Sequence, residues 1–126
     1  MTKGKYVDGF VIPIPKKNIN TYKKMAQEAK EVWTKFGALD YKECIGDDLT
    51  PDMGGMKATS FSKMAKSKKN EIVWFSFIVY KSRQHRDMVN KKVMAYFEKK
   101  YKKTQMQMPF DMERFSYGGF KVEVGA

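Results

Sequence analysis

The chain has 126 residues, 42% of them hydrophobic and 14% aromatic, with 25 Lys and Arg against 14 Asp and Glu and a formal net charge of +11. These proportions exclude a disordered chain and fit one folded domain, 1–126, with a core but no room for a second. A lone cysteine excludes an intramolecular disulfide, no apolar run approaches the ~20 residues that cross a bilayer, and Met1-Thr2-Lys3-Gly4-Lys5 carries no apolar signal core, so the chain reads as a cytoplasmic protein of bacterial type.

Lys5 to Ile14 predicts a first strand with Tyr6, Phe10, Ile12 and Ile14 on one face. Asp8 falls on that face too, and a buried carboxylate there needs a partner, such as Arg114, Tyr117 or a main-chain donor. Gly9 marks either a bulge, which would reset the alternation, or a close approach, so the face of Asp8 stays open. Pro13 and Pro15 end regular pairing, and Asn18 or Asn20 can cap the helix that follows. Ile19, Tyr22, Ala26, Ala29, Trp33 and Phe36 recur at three- and four-residue spacing and give that helix one apolar stripe, with Gly37 as its terminator.

Ala38 to Gly46 predicts a second strand, Leu39, Tyr41 and Ile45 alternating against Asp40, Lys42 and Cys44, and it ends in Gly46-Asp47-Asp48. Cys44 has no matching His/Asn constellation and reads as a small buried hydrophobe rather than a nucleophile. Residues 49–70 are rich in Gly, Met, Ser and Lys and too long for an ordinary loop. Within them Phe61, Met64 and Ala65 form either a helical turn or half of a hairpin. The run Ile72-Val73-Trp74-Phe75-Ser76-Phe77-Ile78-Val79-Tyr80 is then β-branched or aromatic on both faces, apart from Ser76. A strand of that kind is covered on both sides. Ser82 caps a second helix reaching about Tyr101, Met108-Pro109 breaks the chain, and Arg114 to Val124 predicts the last strand around Gly118-Gly119.

The order β-α-β-β-α-β is the ferredoxin-like, α+β arrangement, an antiparallel sheet with two helices on one face. One face of the central strand packs under those helices. The other, bare in a monomer, calls for a second copy of the chain. Two sheets face to face would form a dimeric α/β barrel, so the expected partner is the chain itself, through the open sheet face.

The phrases Tyr6-Val7-Asp8-Gly9-Phe10, Glu43-Cys44-Ile45-Gly46-Asp47-Asp48, Asn90-Lys91-Lys92-Val93-Met94, Met108-Pro109-Phe110-Asp111 and Tyr117-Gly118-Gly119-Phe120, in this order, resemble the YbaA-like family of uncharacterised bacterial proteins. The resemblance runs from Lys5 to about Val122. It implies a fold of the dimeric α/β-barrel superfamily, which includes cofactor-free monooxygenases and haem-degrading enzymes, and it supplies no reaction of its own.

Candidate chemistry centres on polar residues at strand ends. Asp47 and Asp48 can act as acid and base or cap a turn, with Arg86 tying the second helix to them. Asp8, Trp33, Asp47, Asp48, Arg86 and Arg114 are the candidates for lining a small-molecule pocket between sheet and helices, in a binding protein or a cofactor-independent enzyme. The lone His85 and the Asp47/Asp48/Asp52 spacing make no metal site, and no cofactor is implied. The charge comes from 22 lysines and only Arg83, Arg86 and Arg114. So arginine-poor a surface argues against nucleic acid. The rivals are a polyanion- or RNA-binding module using surface lysines, and a structural or regulatory dimer without ligand.

Overall fold

The structure, a computed structural model, describes residues 4–102 and 107–126. Strand β1 (Tyr6–Pro15) buries Tyr6, Asp8, Ile12 and Ile14 on one face. The register runs unbroken through Gly9, so no bulge resets the alternation. Nor does a close approach require the glycine, since a Cβ there would meet the Phe120 ring at an ordinary 3.5 Å. Helix α1 (Ile19–Lys35) packs Tyr22, Ala26 and Val32 inward and ends at Gly37, whose φ of 117° is a conformation that side chains resist. Asn18 holds the N-cap position, but its side chain donates to the Pro109 carbonyl oxygen at 2.9 Å instead of capping.

Strand β2 (Asp40–Ile45) is shorter than the expected 38–46. Phe61–Met64 form the short helix α2, capped by Ser60, which settles the choice between turn and hairpin. Strand β3 (Glu71–Tyr80), helix α3 (Arg83–Tyr101) and strand β4 (Ser116–Lys121) complete the order. The prolines do not end pairing with β3, because Pro13 and Pro15 stand opposite Val73 and Glu71. Pairing with β4 stops at Val11, which leaves that stretch of β1 an edge where a missing N–H is harmless.

All neighbours in the sheet are antiparallel, in the order β2-β3-β1-β4. Two core clusters lie between the sheet and the helices. One joins Tyr6, Ile78 and Tyr80 to Val32 of α1 and to Val89 and Val93 of α3. The second joins Ile12, Ile14 and Trp74 to Tyr22 and Ala26. Phe10 packs against both.

The ferredoxin-like topology stands, and the barrel is corrected. β2 and β4 are the outer strands and do not pair, so the sheet is open rather than closed. The run 72–80 splits by face only in part: Trp74, Ser76, Ile78 and Tyr80 are buried under the helices, while on the opposite face Val73 is buried and Phe75 remains 43% exposed. Phe61 of α2 reaches Phe75, ring centroids 6.5 Å apart, so the chain's own α2 covers only part of that side. Cys44 corrects a second expectation. It is exposed, because it pairs with Phe75 and shares its open face. Among the described residues no helix is long and apolar enough to cross a membrane.

Candidate functional site

A cavity of about 280 Å³ lies between the two core clusters, walled by β1, β2 and β3 on one side and α1 on the other. Phe10, Ile12 and Ile78 supply its sheet wall, Ala26, Ala29 and Trp33 its helical wall. Phe110 and Phe115, stacked at 5.7 Å, bring the segment before β4 against it. Trp33 is fixed in place, its indole N–H donating to Asn90 Oδ1 at 3.0 Å. Tyr80 donates to the same oxygen at 3.3 Å.

The polar centre of this lining is Glu43, and strand register puts it there. Glu43 stands opposite Ser76, on the face that also carries Tyr41 and Ile45. Its carboxylate accepts from the Tyr22 hydroxyl at 2.8 Å, from the Tyr41 hydroxyl at 2.6 Å and from Ser76 Oγ. Burial, reinforced by the Glu43 charge, pushes both tyrosine hydroxyls well above their ordinary range, so both remain donors. Three hydroxyls around one carboxylate in an aromatic cavity can orient a ligand that brings a further donor.

The sequence candidates fall into separate places. Trp33 lines the cavity. Asp8 and Arg86 meet beyond it: Arg86 Nη1 donates to Asp8 Oδ1 at 2.7 Å, and the Tyr117 hydroxyl donates to Oδ2 at 3.4 Å. Burial lifts the Asp8 carboxyl above its usual range, and the Arg86 charge and the Tyr117 hydroxyl pull it back. The guanidinium also lies over the Tyr6 ring, 5.1 Å from its centroid, and donates to Asp87. Arg86 therefore ties α3 to β1 through Asp8, and its ion pairs are with Asp8 and Asp87 rather than with Asp47 or Asp48. Asp47 and Asp48 are exposed beyond the end of β2. Arg114 joins Glu71 and Asp111 and donates to the Lys66 carbonyl oxygen at 2.9 Å. Among the described residues no three His, Cys, Asp or Glu side chains converge as a metal site requires.

Glu43 is the residue that sequence reasoning passed over. The signal was an acid in step with Tyr41 and Ile45, on the apolar face of a strand.

An open, four-stranded antiparallel sheet under two long helices, with an aromatic cavity between, defines a ferredoxin-like α+β protein. Across 98% of this chain and 100% of the other, it superimposes on a dimeric ferredoxin-like protein from an uncultured marine organism, with a TM-score of 0.55 at 13% identity. Residues 5–112 match the family described as "Protein of unknown function (DUF1428)". The chain is also 41% identical over 117 residues to "Uncharacterized protein YbaA" of Escherichia coli K12 and of Shigella flexneri, covering 93% of this chain and 95% of each relative. The chain belongs to this YbaA-like family.

Proposed function

We propose that the protein binds a small molecule in the cavity between sheet and helices and works as a homodimer joined through the open sheet face. The cavity carries the first part. It is close in size to the low end of ligand pockets, roughly 300–1,000 Å³, and like them it sets a few convergent polar groups in an apolar wall. Simple core packing would favour filling such a space, since an empty volume costs stability. It would not place a carboxylate there with three hydroxyl donors. Trp33 is the sequence candidate assigned to this lining. Asp8, Arg86 and Arg114 hold elements around it, and Asp47 and Asp48 stand outside it.

The open face carries the second part. Phe75 and Phe120 are 43% and 62% exposed there, beside Val7, Val11 and Val79. Contiguous apolar exposure of this kind marks an interface, and the ferredoxin-like protein of the same fold is described as dimeric. A twofold pairing needs only one self-complementary patch.

Ala29→Trp tests the cavity, because the indole would occupy it from the α1 side. Small aromatic compounds that raise the melting temperature of the wild type should leave this variant unchanged, with its helical circular dichroism retained. Equal shifts in both proteins would place binding elsewhere.

A further inference from the structure

Glu43 takes three hydroxyl donors, Tyr22 and Ser76 on Oε1 and Tyr41 on Oε2. A carboxylate oxygen accepts two hydrogen bonds, so Oε2 keeps one acceptor position. Among the described residues no Lys, Arg or His forms an ion pair with Glu43. Glu28, also on the cavity lining, differs: it is paired with Lys100 and accepts from the Tyr101 hydroxyl at 2.5 Å. The three donors on Glu43 are neutral hydroxyls, which fill all but one of its acceptor positions and leave its charge without a cationic partner. A half-buried anion in apolar surroundings is costly until a cation meets it. Trp33, Tyr22 and Tyr41 line the same cavity as Glu43, and aromatic rings there can add a cation–π attraction for a positively charged ligand.

We propose that Glu43 is the anchor for a small organic cation, whose aromatic or alicyclic body fills the cavity while a single ammonium group donates to Glu43 Oε2. The inference rests on the ligand-pocket reading above and adds the charge of the ligand to it. A neutral donor would complete the fourth hydrogen bond but not the charge. An anion would meet the carboxylate head-on. The net charge of +11 acts at range and is screened beyond about 8–10 Å at ordinary salt, whereas contact with Glu43 is local.

Three probes of one shape separate the terms: naphthylmethylamine, naphthalenemethanol and naphthoate, titrated calorimetrically at neutral pH. The amine should bind at least tenfold more tightly than the alcohol, with the carboxylate weakest. Glu43→Gln should erase the difference between amine and alcohol. Should that variant fold poorly, Tyr41→Phe keeps the charge, frees a further position on Oε2 and should preserve the preference for the amine. Equal affinity for amine and alcohol in the wild type, lost for both in Ala29→Trp, overturns the charge inference and leaves the pocket standing. Absence of binding by all three overturns both.

Discussion

Arg114 donates through both terminal nitrogens to the two oxygens of Glu71, at 2.6 and 2.7 Å, and through Nε to Asp111 at 2.9 Å. These bonds hold both carboxyls below their ordinary range. A depressed folded-state pKa stabilises the fold fully above the unfolded value, 4.5 for Glu71 and 3.8 for Asp111, and that contribution is lost as pH falls. Arg114→Gln should therefore flatten the loss of stability between about pH 5 and about pH 3, followed by urea unfolding. An unchanged acid slope would mean that the pairs do not persist in solution. At this scale legibility was uneven. Alternation alone leaves the face of Asp8 open, since a bulge at Gly9 would reset it; the unbroken register buries the carboxylate, with Tyr117 among its partners. Arg86 as the main partner depended on where α3 crosses the sheet, which no local pattern encodes. Glu43 was hidden for another reason: its meaning needs Ser76 across the strand pair and Tyr22 on α1, 33 and 21 residues away along the chain.

Helix α3 starts where Ser82 accepts from the His85 backbone N–H at 3.0 Å, with Val89 and Val93 buried beneath it. Ser82→Ala should cost about 1 kcal/mol, the usual worth of an N-cap, read from chemical denaturation. A loss near zero would mean that water replaces the hydroxyl. The elements were largely readable because their signals are local: the stripe of α1, the cap of α3 and the two-sided apolar run of β3. What failed was local as well, but undetermined by residue type. Pro13 and Pro15 looked like breakers, and they sit in β1 because β4 is too short to need their missing N–H groups. Gly119 is another position set by the fold, since the Tyr6 ring occupies the space where its side chain would stand.

For the whole molecule, topology followed from element order, whereas closure into a barrel did not. Alternation can show that both faces of a strand are apolar. It carries no information on whether the outer strands meet. The open face with Phe75 and Phe120 supports pairing, and Phe120→Glu would bury a carboxylate at that contact. Light scattering at micromolar concentration should give a dimer for the wild type and a monomer for this variant. A monomeric wild type would contradict the pairing. Ligand binding in the cavity can be followed by an amide and indole NMR titration with naphthalenemethanol. Binding there should give saturable shifts at the Trp33 indole N–H, Ala29 and Ser76, with Val7 and Phe120 still. Shifts confined to the open face, or none that saturate, would contradict it.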